Sequence, residues 1–125
     1  MARCASELVA EAKQRIDNLD PDAVEAEAAS GDVIIIDIRE AEELGDAGRI
    51  PGSVHVPRGM LEFRADTTSP YHQPPLDPSA RVILHCASGG RSALAAATLK
   101  DMGYENVAHL DGGMNAWKEA GKAIE

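Results

Sequence analysis

The sequence predicts an α/β fold of three layers, in which a mostly parallel sheet is covered by helices on both faces. Short apolar runs alternate along the chain with segments of helical composition, and the run Val33–Asp37 contains no polar residue before its last position. An unbroken β-branched run is typical of a parallel strand buried on both faces. Because ligands of such folds bind at the carboxyl ends of the strands, residues that follow the apolar runs are the first candidates for a site.

The N-terminal third of the chain predicts two helices before the first strand. Residues 6–15 carry apolar side chains at helical spacing. A second helix is predicted to begin after Asp20, whose carboxylate can cap it, and Pro21 suits its first turn. Gly31 is predicted to end this helix.

The middle of the chain predicts short elements followed by one long loop. Gly45 and Gly48 are predicted to stop the first of these elements. The prediction is a helix, a strand, a helix and a loop over residues 40–44, 54–56, 59–63 and 64–79. Four prolines stiffen the loop, which either forms a wall of the site or only connects to the next strand.

The C-terminal third predicts two further strand and helix pairs. Gly103 and Gly121 are expected to end the two helices, and Gly112 and Gly113 are assigned to a tight turn. The predicted elements are a strand over 82–84, a helix over 92–102, a strand over 107–110 and a helix over 115–119.

Length and charge limit the protein classes to consider. We predict one domain over residues 1–125, with 1–15 as an N-terminal helical extension. The formal net charge of −9 argues against nucleic acid and anionic membranes as partners, since both require basic patches. An anionic substrate would need local positive charge, for which Arg91 is the first candidate, ahead of Arg58 and Arg64.

The two cysteines indicate a reducing compartment. Cys4 and Cys86 do not make a disulfide framework, and Cys4 is expected to be an inert terminal thiol. The N-terminal segment lacks an apolar core of secretory length, and the run Val33–Ile36 is far too short to span a bilayer. We therefore predict a cytoplasmic protein.

Cys86 lies where a strand gives way to a loop and then a helix. A thiol at this position meets unpaired N–H groups and the positive end of a helix dipole, which favour the thiolate. Cys86 is therefore the predicted nucleophile. The residues predicted to bind its substrate are those of the loop: Ala87, Ser88, Gly89, Gly90, Arg91 and Ser92.

The loop spacing separates two kinds of chemistry. Arg91 follows Cys86 by five positions, giving Cys-x-x-Gly-x-Arg, whereas tyrosine-phosphatase loops place arginine one position later, where this chain has Ser92. A tighter loop suits a single extra sulfur atom on the thiol better than a phosphoryl group. The spacing favours sulfur transfer over phosphatase or arsenate reductase activity.

Three ordered motifs then resemble the rhodanese family of sulfurtransferases, single-domain type. They are Asp37–Glu40 together with Gly48–Pro57, the Cys86 loop, and Asp111–Gly121. The resemblance covers nearly the whole chain and implies a rhodanese-like three-layer sandwich. It also implies that Asp37 and Arg39 give structural support rather than catalysis.

The resemblance implies a ping-pong sulfurtransferase. Cys86 would take the outer sulfur of thiosulfate or a similar anionic donor as a persulfide, and a thiol or cyanide would accept it. Two alternatives remain open: a persulfide carrier in a protein sulfur relay, and a non-catalytic rhodanese-like binding module. No cofactor is expected, and no metal, because the histidines, cysteines and acids lack zinc spacing.

The four histidines are assigned no catalytic role. His85 adjoins the nucleophile, but neighbouring strand residues face opposite sides, so its ring is expected to be packed and hydrogen-bonded away from the thiol. His55 and His109 occupy strand-like positions and are predicted to pack in the core or at an edge. His72 lies in the long loop without an assigned role.

Overall fold

The computed structural model describes residues 2–125, so Met1, the first residue of the predicted domain, lies outside the described residues. A 3₁₀ turn over Arg58–Met60 precedes the fourth helix. The elements are α1 (Ala5–Lys13), β1 (Asp17–Leu19), α2 (Pro21–Ser30), β2 (Ile34–Asp37), α3 (Ala41–Ala47), β3 (Val54–His55), α4 (Leu61–Ala65), β4 (Val82–His85), α5 (Gly90–Asp101), β5 (Val107–Leu110) and α6 (Gly113–Glu119).

The five strands form one parallel sheet in the order β1-β5-β4-β2-β3. The predicted α/β class is therefore confirmed. β4 lies at the centre, where Ile83 pairs with Ile35 of β2 and with Ala108 of β5. Since all strands run the same way, their carboxyl ends meet at one edge, and Asp37 is in register with His85 there.

Helices cover both faces of the sheet, which explains why its central strands are apolar throughout. Ile35 and Ile36 are consecutive and point to opposite faces, each into its own apolar cluster. The helices α1, α4 and α5 close one face, and α2 and α6 close the other. Representative buried residues are Ala12, Leu61 and Ala96 on the first face, and Val24, Met114 and Trp117 on the second.

Two predicted helix ends differ in outcome. The Asp20 carboxylate accepts a hydrogen bond from the Ala23 N–H at 2.8 Å, and Gly31 ends α2 with φ +82°, as predicted. The prediction that Gly45 stops the next helix is wrong, since α3 continues to Ala47. A reciprocal capping box between Glu40 and Glu43 fixes the first turn of α3, and an interior glycine costs only about 1 kcal/mol.

Several boundaries lie outside the predicted limits. The strand β1 was not predicted, because Asp17 and Asn18 are poor strand formers. The helices α5 and α6 begin two residues earlier than predicted, at Gly90 and Gly113. Gly113, which was assigned to a tight turn, is therefore the first residue of α6. The strand β4 includes His85, and the long loop begins after Ala65. None of the helices in residues 2–125 has both the length and the hydropathy needed to cross a bilayer.

Candidate active site

The sulfur of Cys86 lies inside a loop that joins β4 to α5. The residue is 1% exposed, and Sγ accepts hydrogen bonds from the N–H groups of Gly89 at 3.1 Å and Ser92 at 3.4 Å. Gly89 adopts φ +105°, a conformation that glycine reaches without strain and that turns its N–H toward the sulfur. Both N–H groups therefore stabilise negative charge on Sγ, as a thiolate requires.

Arg91 belongs to this loop, and its guanidinium binds a carboxylate on α3. It donates to Glu43 in a bidentate pair, with N···O distances of 2.8 and 2.9 Å. The pKa of Arg91 is raised, mainly by these hydrogen bonds and only weakly by Cys86. The same bonds lower the pKa of Glu43 to about 2, so the carboxylate is ionised. Sequence reasoning did not find Glu43, although the spacing Glu40-x-x-Glu43 indicates a capping box.

A second ion pair lies buried at the carboxyl end of β2. The Asp37 carboxylate accepts from Arg39 Nε at 3.1 Å, from Nη2 at 2.9 Å and from the Arg39 backbone N–H at 3.0 Å. Nη2 also donates to the Gly48 carbonyl at 2.7 Å. Burial acts to raise the pKa of Asp37, but the hydrogen bonds from Arg39 outweigh it, so the pKa is lowered. The pair connects β2 to the turn that follows α3.

Three histidines lie near the carboxyl ends of the strands, and His109 is the one that contacts a residue of the cysteine loop. His85 is fully buried, with Nε2 3.5 Å from Asp37 Oδ2 and no hydrogen-bond partner for Nε2 among residues 2–125. Burial lowers the pKa of His85 and keeps the ring neutral. A ring nitrogen of His55 lies 2.7 Å from the Arg39 carbonyl oxygen. His109 is different, since its Nδ1 lies 2.8 Å from the hydroxyl oxygen of Ser92.

His109 is buried, in keeping with its predicted packing, but the sequence analysis did not predict its place near the thiol. The register of the sheet places it there, because β5 pairs with β4 so that His109 stands opposite Leu84, and Leu84 and Cys86 are two positions apart. Residues at i and i+2 of an extended chain share a face. The imidazole therefore points to the same face of the sheet as the nucleophile.

The other arginines proposed as local positive charge lie elsewhere. Arg58 donates to Glu62 at 2.8 Å, and Arg64 donates to Gln73 at 3.1 Å. A cleft of about 420 Å³ opens between α1 and α5, and its lining includes Arg58 but not Cys86. No cluster of three histidine, cysteine or acidic side chains that could hold a metal occurs within residues 2–125.

The first turn of α6 is hydrogen-bonded to the backbone of the cysteine loop. The N–H of Met114 donates to the Cys86 carbonyl at 2.8 Å, and the N–H of Asn115 donates to the Ala87 carbonyl at 3.0 Å. At Gly113, φ is +58°, and a Cβ would lie 2.4 Å from the Cys86 carbonyl oxygen. The close approach of the two backbones therefore requires glycine at this position.

We expect Gly113→Ala to destabilise the fold by about 2 to 5 kcal/mol, combining a left-handed backbone penalty with overpacking against the loop. Gly121 is the matched control, since its φ is +73° and a Cβ there meets no atom within 4 Å. For Gly121→Ala, we expect only the backbone penalty of about 1 to 2 kcal/mol. Urea unfolding of both variants measures the difference, and equal losses would contradict the steric argument.

The fold and the cysteine loop define a class of α/β protein that holds a buried thiol in an N–H-lined loop between a parallel strand and a helix. The family model of the rhodanese-like domain matches residues 20–120 of this chain. The chain belongs to the rhodanese-like domain family. Sulfur transfer is the general activity that this membership supports.

Known proteins show how far the similarity extends. A Bacillus subtilis protein, named provisionally as a sulfur carrier, is 39% identical over 83 residues, which cover 66% of this chain and 40% of that protein. The chain thus spans less than half of that relative. A sulfurtransferase of Allochromatium vinosum is 32% identical over 97 residues, covering 78% of this chain and 82% of that protein.

A solved structure resembles the whole chain. It is a Rhodopseudomonas palustris protein of unknown function, described as a possible tyrosine phosphatase. It is 43% identical, has a TM-score of 0.94, and the match covers 100% of this chain and 96% of that one.

Proposed function

We propose that the protein is a sulfurtransferase that carries sulfane sulfur on Cys86 as a persulfide, with thiosulfate or a similar anion as donor. The observation that carries the proposal is the pair of N–H groups, from Gly89 and Ser92, directed at a buried Sγ. They stabilise negative charge at one sulfur atom. The short Cys-x-x-Gly-x-Arg loop supports a small occupant.

The proposed reaction has two steps. The Cys86 thiolate attacks the outer sulfur of thiosulfate, forming the Cys86 S–S bond while the donor S–S bond breaks and sulfite leaves with the electron pair. A nucleophilic acceptor, either cyanide or a thiol, then attacks the terminal sulfur and releases the Cys86 thiolate. The N–H groups of Gly89 and Ser92 stabilise the charge on Sγ in the thiolate, and the backbone N–H groups of residues 87–92 hold the charged terminal sulfur in the persulfide. No metal or cofactor takes part in the proposed steps.

The test loads the protein with thiosulfate, removes the excess and measures its intact mass. We expect a gain of one sulfur atom, located on the Cys86 peptide and absent from the Cys4 peptide, and release of thiocyanate when cyanide is added. A folded protein that gains no sulfur would contradict the choice of donor. Hydrolysis of p-nitrophenyl phosphate, assayed in parallel, is expected to be absent, since the loop lacks the phosphatase spacing.

Arg91 is proposed to attract the anionic donor from its place beside the loop. We expect Arg91→Ala to raise the KM for thiosulfate about tenfold with a smaller change in kcat, since the interaction removed is with the bound donor. Glu43→Gln should lower the KM for thiosulfate, because it removes the negative charge that neutralises the Arg91 guanidinium. Steady-state kinetics of thiocyanate formation measure both effects.

Arg64→Ala is the matched control for this pair of variants, since Arg64 donates to Gln73. Its KM should equal that of the wild type. If Arg91→Ala lowered kcat and left KM unchanged, the result would contradict a role in binding the donor and would indicate that Arg91 maintains the shape of the loop.

A carrier role in a protein sulfur relay is the second candidate. The similarity to a relative named provisionally as a sulfur carrier favours it. A carrier would form the persulfide from a protein donor and turn over thiosulfate poorly. Both functions use the free thiol of Cys86 and fit a reducing compartment such as the cytoplasm.

A further inference from the structure

A chain of polar contacts leads from Cys86 through the helix α5 and the strand β5 to β1. Cys86 Sγ lies 3.6 Å from Ser92 Oγ, which lies 2.8 Å from His109 Nδ1. His109 Nε2 in turn lies 2.8 Å from Asn18 Oδ1. Cys86, Ser92 and His109 are all buried. The contacts therefore join the nucleophile to an imidazole by way of one hydroxyl.

The contacts fix where each proton lies. The amide nitrogen of Asn18 donates to the carbonyls of Lys13 at 2.8 Å and Ile16 at 3.3 Å, so its oxygen faces His109. A carbonyl oxygen only accepts, hence His109 Nε2 carries a hydrogen and Nδ1 of the neutral ring is an acceptor. The Ser92 hydroxyl then donates to Nδ1 at 2.8 Å, which is closer than its other acceptor, the Gly89 carbonyl, at 3.3 Å. Its oxygen is left to accept from the Cys86 thiol.

The surroundings of His109 keep its ring neutral before the thiol ionises. Burial is the main cause that lowers the pKa of His109 to about 4, and Lys13 on α1 acts in the same direction. Asp111, after β5, acts to raise it, but that carboxylate is paired with Lys13 at 3.0 Å. Asn18 on β1 and Ser92 on α5 face the ring as neutral groups. The ring is thus neutral, with the lone pair of Nδ1 directed at the Ser92 hydroxyl, and the negative charge of a thiolate beside that hydroxyl is what favours protonation of the ring.

We propose that His109 accepts the proton of Cys86 through Ser92, as a positioning residue that makes the buried thiol reactive. The thiol proton passes to Ser92 Oγ while the hydroxyl proton of Ser92 passes to His109 Nδ1. The products are a thiolate, a neutral Ser92 hydroxyl that donates to Sγ, and an imidazolium. The transfer is an internal exchange that consumes no other reactant.

All three hydrogen bonds between these side chains are kept after the exchange. Donor and acceptor are reversed between Cys86 and Ser92 and between Ser92 and His109. After transfer, Nδ1–H donates to Ser92 Oγ, while Nε2–H continues to donate to Asn18 Oδ1. Other titratable groups near the thiol are less suited to accept its proton. His85 contacts Asp37 on the far side of the strand, and both oxygens of the Glu43 carboxylate are bound by the Arg91 guanidinium.

The experiment measures thiol reactivity without using sulfur transfer. In a Cys4→Ser background, Cys86 is the remaining thiol, and its rate of alkylation by iodoacetamide is followed across pH. His109→Gln offers Ser92 an acceptor that cannot take up a proton. We expect about tenfold slower alkylation near neutral pH, with the half-maximal rate reached about one pH unit higher.

Two companion variants make the result specific. Ser92→Ala should reproduce the change, and the double variant should show no further loss, because both substitutions break one chain. His55→Gln is the matched control, since His55 is bonded to the Arg39 carbonyl, and it should keep the wild-type profile.

A wild-type pH profile in folded His109→Gln would overturn the proposal. If that variant does not fold, the profile of Ser92→Ala decides in the same way. This proton transfer rests on the proposed sulfur transfer for its function, but experiments can reject either of the two proposals without the other. The protein could show alkylation that depends on His109 and yet take no sulfur from thiosulfate. That result would reject thiosulfate as the donor and support the proton transfer.

Discussion

Cys86→Ser is expected to reduce thiocyanate formation from thiosulfate and cyanide by at least about 10³-fold, since the loss of a catalytic nucleophile can cost about 10⁶-fold in kcat. A serine oxygen fits the loop and can accept the N–H bonds of Gly89 and Ser92, so the fold should be retained. It cannot form a persulfide, however, and its hydroxyl stays protonated at neutral pH. The mass gain from thiosulfate should disappear together with turnover.

The second cysteine provides the matched control for this result. Cys4 is exposed near the N-terminus, and Cys4→Ser should keep both the mass gain and the rate. Near-wild-type turnover in Cys86→Ser would contradict the persulfide mechanism. Thermal unfolding of each variant separates a lost nucleophile from a lost fold.

Arg39→Met should destabilise the protein by about 3 to 5 kcal/mol, because it leaves the Asp37 carboxylate buried without its partner. Arg15→Met is the surface control, since Arg15 pairs with Asp101 in solvent and an exposed pair contributes about 1 kcal/mol or less. Urea unfolding at neutral pH measures both losses. Equal losses would mean that burial of the Asp37 pair has no energetic consequence.

The pH dependence gives this prediction a second readout. In the wild type the lowered pKa of Asp37 contributes stability that is complete above the unfolded value of about 3.9 and is lost as pH falls through the folded value. In Arg39→Met the guanidinium hydrogen bonds are lost and only the backbone N–H of residue 39 opposes burial, so the pKa of Asp37 should rise and protonation of Asp37 should remove part of the destabilisation. The stability gap between the two proteins should therefore narrow as the pH falls.

The sheet and its main helices could be predicted because their signals are local. The β-branched run before Asp37 and the apolar run before Cys86 are strands in the structure, and Asp20 and Gly31 bound a helix as expected. The position of Cys86 between a strand and a helix follows from the order of residues alone. These features require no knowledge of distant contacts.

What the sequence could not supply depends on partners far along the chain. The strand β1 has only three residues, two of them polar, and exists by pairing with β5. Its Asn18 and the facing His109 meet through that pairing, at a separation of 91 residues. The direction of the Arg91 guanidinium toward Glu43, 48 residues away, is likewise a matter of tertiary structure.

The amides of Met114 and Asn115 that hold the Cys86 and Ala87 carbonyls bear on how the protein is made. Met114 is synthesised 28 positions after Cys86, so the nascent chain carries the thiol before the support for its loop exists. A polypeptide interrupted before Met114 therefore keeps its cysteine but lacks the two hydrogen bonds by which α6 holds the carbonyls of the loop.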